Sequence, residues 1–271
     1  MQKNMNKKFI LFSDLDGTFI TYKREIPKIN LEAVEKLKEQ NGFFSIASGR
    51  SIEAIRYYSD IIKINAPAIV ANGSIIYDYN KEKIIWDMPL PEVAKEYAKE
   101  IFEKFSDIGM EIHSGHDLYL LRNSLETAAH IRHEKVKYND IDSFDRAPET
   151  WHKVLLAASQ EKLKELSDYC LKKKHKGVKY CYTAKVYFEM LNESANKGKA
   201  IKKLAEYLGI DEEYTYAIGD YYNDVEMIKA AGYSFLAGNA PKELHYKADK
   251  ILCKCEDGAV AQCIDYILKT L

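Results

Sequence analysis

Asp14-Leu15-Asp16-Gly17-Thr18 sets two carboxylates two residues apart. On a continuing strand both would point to one side, a concentration of negative charge that calls for a cation to relieve it. Gly17 allows the chain to turn sharply, and Thr18 offers a hydroxyl to a bound oxyanion. Far along the chain, Ile218-Gly219-Asp220-Tyr221-Tyr222-Asn223-Asp224 brings two more carboxylates and an amide close together. With Asp14 and Asp16 they suffice for an oxygen-rich, octahedral magnesium site. A polar turn closing a strand would explain the first motif, but a simple helix cap would not need so many acids in the second.

Three other motifs suit an anion. Ser48-Gly49-Arg50 supplies a hydroxyl, a glycine and the free amides of a helix start, although serine also caps helices routinely. Asn72-Gly73 is similar, and it also reads as an Asn-Gly hairpin turn into Ile75-Ile76-Tyr77. In Asn196-Lys197-Gly198 an ammonium precedes a helix, where it could neutralise phosphate charge or simply be solvated.

The elements around these motifs give them a common frame. Lys8 to Ser13 is a short apolar run that suits a buried strand and stops at Asp14. Asn30 to Gln40 has helical spacing at Leu31, Val34 and Leu37, with a stop at Asn41-Gly42. Phe43 to Ala47 reads as a strand, Ser51 to Ile62 as a helix and Ala68 to Ala71 as a third strand. This alternation predicts a parallel sheet with crossover helices, and ligands of such sheets sit at the strand ends. The rhythm returns in Lys199 to Leu208, Tyr214 to Ile218 and Asp224 to Ala231, with short strands at Ser234 to Ala237 and Lys250 to Leu252.

The middle of the chain has a different pattern. A helix at Pro91 to Phe105 precedes strands at Met110 to His113 and Leu118 to Leu121; a helix at Glu161 to Lys174 precedes strands at Val178 to Tyr182 and Val186 to Leu191. Short strands joined by a tight turn pair as hairpins, so this region reads as an α+β insertion with antiparallel pairing. Residues 123–148 give no clear pattern. The expected fold is α/β: a Rossmann-like, doubly wound, mostly parallel core of residues 1–83 and 191–271, with an inserted α+β domain at 84–190.

The 271 residues are 46% hydrophobic and 30% charged, enough to bury a core. Forty basic residues against forty-one acidic ones give a formal charge of −1 and no general field for nucleic acid or anionic membrane. The polar N-terminal residues 1–8 do not resemble a signal peptide, and no run approaches the ~18 apolar residues of a membrane span. A soluble, cytoplasmic protein is expected. Five cysteines without a paired motif argue against a disulfide framework. Alternation on a strand would account for Cys253 and Cys255.

As an ordered set at successive strand ends, the motifs resemble those of the haloacid-dehalogenase superfamily, specifically its Cof-type sugar-phosphatase branch, over essentially the whole chain. The resemblance implies Asp14 as nucleophile and Asp16 as acid and base. It implies Mg2+ held by Asp14, Asp16 through its carbonyl, Asp220 and Asp224, the last directly or through another group. It implies phosphate contacts from Leu15, Thr18, Ser48, Gly49, Arg50, Asn72, Lys197 and Asn223. The expected reaction is hydrolysis of a small phosphorylated metabolite through an aspartyl-phosphate, by a monomer or weak homo-oligomer. Phosphoryl transfer to another hydroxyl, as in a mutase, would use the same intermediate. A sugar-phosphate sensor on this fold would have no use for Asp16 as a proton donor. Tyr221 and Glu193-Ser194-Ala195 depart from the family's usual pattern without removing a reacting group.

Within the insertion, His113 and His116 read as exposed polar residues flanking a turn. Tyr119, Tyr180, Tyr182 and Tyr187 read as alternation on a half-buried sheet. Lys172-Lys173-Lys174 reads as a favourable helix C-terminus.

Overall fold

The computed structural model describes residues 7–271; most of the polar N-terminus discussed above therefore lies outside the described residues. In chain order, β1 (Phe9–Ser13), α1 (Lys28–Glu39), β2 (Gly42–Ile46), α2 (Ile52–Ile62) and β3 (Ala68–Val70) lead to β4 (Ile75–Asp78) and β5 (Lys83–Asp87). There follow α3 (Ala94–Lys104), β6 (Gly109–Ser114), β7 (Asp117–Arg122), α4 (Leu125–Glu134), β8 (Asn139–Asp140), β9 (Lys153–Ala157), α5 (Gln160–Lys173), β10 (Val178–Ala184) and β11 (Tyr187–Asn192). The chain ends with α6 (Lys197–Leu208), β12 (Thr215–Gly219), α7 (Val225–Ala230), β13 (Tyr233–Leu236), β14 (Lys250–Ile251) and α8 (Ala259–Thr270).

These elements fall into two compact units. The first comprises residues 7–48, 56–86 and 196–271, and the second residues 49–55 and 87–195.

In the first unit a five-stranded sheet runs in the order β14-β13-β12-β1-β2, every pair parallel. All five residues of β1 are buried, as a central parallel strand requires. Ile10 and Phe12 of β1 pack with Ile201 and Leu204 of α6 and with Met227 and Ile228 of α7. The expected third strand behaves differently. β3 makes one isolated parallel bridge, Ile69 to Ala47 just past the end of β2, and pairs antiparallel with β4 in a separate three-stranded sheet. Asn72, at φ 55°, makes the turn between β3 and β4, so the hairpin reading of Asn72-Gly73 holds. Cys253 and Cys255 fall beyond β14, Cys255 opening a short 3-10 turn, so strand alternation does not account for them. All five cysteines are free.

The second unit is a six-stranded sheet ordered β10-β11-β9-β6-β7-β8. β6 with β7 and β10 with β11 form antiparallel hairpins. Met110, Ile112, Val154, Leu156 and Met190 form a core with Ala98 and Ile101 of α3 and with Leu163 and Leu166 of α5. The stretch without a clear pattern contains α4, capped by Ser124, whose hydroxyl accepts from the Thr127 amide. Only Thr127 of α4 is buried, so the helix has no apolar stripe to betray it.

Candidate active site

Because β1, β12 and β13 run parallel, the residues that follow them emerge at one edge of the sheet. Asp14 comes one residue after β1, and its amide donates to the Ile218 carbonyl at 2.9 Å. The chain then turns tightly, the Leu15 carbonyl accepting from the amides of Thr18, Phe19 and Ile20. Gly17 takes φ +82°, and a Cβ there would lie 2.4 Å from Asp220 Oδ2, so the position requires glycine on both counts. Buried Asn30 secures the loop: its Nδ2 donates to the Phe19 carbonyl at 3.0 Å, and its Oδ1 accepts from the Ala261 amide at 3.0 Å.

Lys197 arrives from a different element. Asn196 caps α6, accepting from the Lys199 amide at 2.8 Å, and Lys197 is the first residue of that helix. Gly198 lets the start of α6 press against the first turn of α7, since a Cβ there would lie 2.2 Å from the Glu226 carbonyl oxygen. The fully buried ammonium then donates to Asp14 Oδ1 and Asp224 Oδ1, each at 2.6 Å. Asp224 Oδ2 accepts from the amides of Asp220 and Tyr221, both at 3.0 Å. Thr18 donates to Asp220 Oδ1 at 3.0 Å.

The cluster is short of positive charge. Carboxylate oxygens of Asp14, Asp220 and Asp224 lie within 4.8 Å of one another, with Lys197 the only cation bonded to them among the described residues. Burial and the nearby Asp224 carboxylate hold the Asp14 carboxyl well above the usual range, against the pull of Lys197. Burial and Asp224 likewise push Asp220 up to about 6. Lys197 moves upward despite its burial, because Asp14 and Asp224 favour the charged ammonium. Closely spaced buried carboxylates lacking a full complement of positive charge fit a hard divalent ion with oxygen ligands. Asp224 is the one of the three whose oxygens are held by the Lys197 ammonium and by backbone amides, Oδ1 by the former and Oδ2 by the latter.

Asn223 Nδ2 donates to Asn72 Oδ1 at 3.2 Å. The Ser48 amide donates to the Ile69 carbonyl, and the Ser48 carbonyl accepts from the Asn72 amide. Asp16 is half-buried in the turn, and the Leu15 side chain is fully buried. Arg50 pairs with Glu134, 3.1 Å apart, and the Gly49 carbonyl lies 3.4 Å from the Lys153 ammonium. Two residues that the motifs omit also reach Asp220 Oδ2: Tyr22 at 2.5 Å and Asn239 at 3.1 Å. Asn239 lies just past β13 in Gly238-Asn239-Ala240, a strand-end loop that the edge argument could have flagged; Tyr22 has no comparable signal.

In the second unit His113 is buried, contrary to expectation, and its Nε2 lies 3.2 Å from Glu111 Oε2. His130 Nδ1 lies 2.9 Å from the same oxygen. Burial works to raise Glu111, but hydrogen bonds from the two imidazoles hold its carboxyl down at about 2. Burial and Lys153 push His113 down to about 4. Lys153 is itself buried and 2.9 Å from Glu189. His116 is exposed, as expected, beside Glu53. The four tyrosines are half-buried or exposed, and Tyr180 stacks on Phe188.

The sequence profile of haloacid dehalogenase-like hydrolases matches residues 11–264. The chain belongs to that family. It is 27% identical over 279 residues to the 5-amino-6-(5-phospho-D-ribitylamino)uracil phosphatase YwtE of Bacillus subtilis, covering 94% of this chain and 96% of that one. It is 23% identical to the pyridoxal phosphate phosphatase YbhA of Escherichia coli, covering 94% and 97%. A haloacid dehalogenase-like hydrolase from Bacteroides thetaiotaomicron shares the fold at TM-score 0.87 and 23% identity, covering 96% of this chain and 100% of that one. So does a subclass IIB sugar phosphatase, at TM-score 0.81 and 19% identity, covering 95% and 98%. The α/β fold is thus that of the Cof-type branch, and the chain is an enzyme of the phosphoric monoester hydrolase class. Among the described residues no helix is long and apolar enough to cross a membrane.

Proposed function

We propose that the protein is a magnesium-dependent phosphatase that hydrolyses a small phosphorylated metabolite, such as a sugar phosphate, through an aspartyl-phosphate on Asp14. The observation that carries this reading is the buried Lys197 ammonium, bonded at once to Asp14 and Asp224 beside the underbalanced Asp220 carboxylate. Lys197 grips Oδ1 of Asp14, which leaves Oδ2 to attack phosphorus. The P–O bond to the leaving group breaks as Asp16 gives that oxygen a proton. Asp16 then takes a proton from the water that attacks the aspartyl-phosphate, releasing inorganic phosphate and restoring both carboxyl groups to their starting forms. Leu15, Thr18, Ser48, Gly49, Arg50, Asn72, Lys197 and Asn223 are assigned to the phosphoryl oxygens.

Asp14, the Asp16 carbonyl and Asp220 would hold the magnesium ion, which when bound neutralises charge developing on the phosphoryl group. Asp224, whose oxygens accept from Lys197 and from backbone amides, is assigned to supporting the metal site, directly or through another group, while aiming Lys197 and fixing the loop after β12. The second unit is assigned the role of a cap that selects the leaving group. The named relatives act on small phosphate esters, which supports a metabolite rather than nucleic acid or membrane as substrate. A monomer or weak homo-oligomer in the cytoplasm completes the proposal.

The test is Asp14→Asn assayed for phosphate release from a panel of phosphorylated sugars and cofactors with MgCl2. Turnover should fall by about 10^4-fold or more with the circular dichroism spectrum unchanged. Hydrolysis retained in that variant would discredit the nucleophile.

A further inference from the structure

We propose that Tyr22 is a positioning residue for the divalent ion: its phenol holds Asp220 Oδ2, leaving Oδ1 as the oxygen available to a cation. The inference rests on the metal-dependent reading above and assigns it a residue outside the sequence motifs.

The Asp220 carboxylate is shared unequally between its two oxygens. It is fully buried, and three side chains among the described residues donate to it. Tyr22 and Asn239 both donate to Oδ2, at 2.5 and 3.1 Å, while among the described residues Thr18 alone donates to Oδ1, at 3.0 Å. A carboxylate oxygen offers roughly two lone-pair sites, so Oδ2 is filled and Oδ1 keeps one open. Held in this way, the group can ligate through one oxygen in a fixed direction. Groups that orient a ligand without touching the metal commonly set its affinity.

The two donors to Oδ2 are secured differently. Asn239 is locked into the backbone frame: its Nδ2 also donates to the Gly17 carbonyl at 2.8 Å, and its Oδ1 accepts from the Cys255 amide at 2.9 Å. Tyr22 is 65% exposed. Its hydroxyl crosses beside Gly17, where a Cβ would lie 2.7 Å from the phenol oxygen, so Gly17 also makes room for this contact. Removing the hydroxyl alone therefore deletes one bond to Asp220 while leaving the core packing in place.

Tyr22→Phe in the full chain, titrated with MgCl2 by isothermal calorimetry, should bind the ion roughly tenfold more weakly than the wild type. Its melting temperature in EDTA should match the wild type, whereas the rise produced by MgCl2 should be smaller. A purely structural role would lower the EDTA value instead, and that result would overturn the proposal. So would unchanged affinity. Tighter binding would also overturn it, because the phenol would then be competing with the ion for Asp220. If the wild type binds Mg2+ and Tyr22→Phe binds it equally well, only this inference fails. If the wild type shows no Mg2+ binding, the metal assignment fails with it.

Discussion

In the first unit one buried ammonium, Lys197, faces the carboxylates of Asp14 and Asp224, with Asp220 adjacent. In the second, Glu111 lies between His113 and His130, and Lys153 pairs with Glu189. Both groups are deeply buried, yet their carboxyls shift in opposite directions. Asp14 and Asp220 are pushed up by burial and by the nearby Asp224 carboxylate, whereas Glu111, against the effect of its burial, is held down because two imidazoles donate to it. Burial of charge by itself therefore does not mark a site. What distinguishes the first cluster is an imbalance that a divalent cation would correct.

The sharpest way to break this contrast is to remove each lysine. Lys197→Met should destabilise the chelated protein by about 3–5 kcal/mol at neutral pH, since it strands buried carboxylates. MgCl2 should restore part of that loss in urea denaturation, because the added ion supplies the missing charge. Lys153→Met should cost about 3 kcal/mol by removing the ammonium that faces the buried Glu189 carboxylate, with no recovery in MgCl2. The double variant Lys153→Met/Glu189→Leu should regain most of the loss. Magnesium-dependent recovery of Lys153→Met would erase the distinction between the clusters.

A smaller effect is expected from pH alone, measured in EDTA. Asp220 has a folded value of about 6 against an ordinary 3.8, so its contribution is full below 3.8 and is lost as pH rises through about 6. Asp14 has the same sign. His113 is at about 4 against 6.5, and Glu111 at about 2 against 4.5; their contributions are present at neutral pH and lost on acidification through those folded values. Moving from pH 7 to pH 4 should thus tighten hydrogen-exchange protection in β12 and loosen it in β6 and β9, each by about 1–2 kcal/mol. Parallel changes in the two regions would contradict the opposite signs.

Much of the architecture was legible before any coordinates. Apolar runs such as Phe9 to Phe12 and the helical spacing in α1 and α6 depend on local periodicity, which the chain order displays directly. The two hairpins of the second unit followed from short strands and tight turns. α4 was not legible, because a helix that buries only Thr127 carries no periodic stripe. The position of β3 was missed in part, since an apolar triplet does not reveal which neighbour it will pair with.

Within the candidate site, residue types and strand-end positions singled out Asp14, Asp220, Asp224 and Lys197, because acids and glycines at those places satisfy local turn chemistry as well as catalysis. Their meeting is a tertiary fact. Lys197 is 183 residues from Asp14 and 27 from Asp224, and the close approach at Gly198 helps bring its ammonium between them. The burial of His113, the Arg50 pairing with Glu134, and the grip of Tyr22 and Asn239 on Asp220 were likewise settled by folding. Sequence spacing reports which face or turn a residue occupies; hydrogen-bond partners and desolvation depend on what the rest of the chain packs against it.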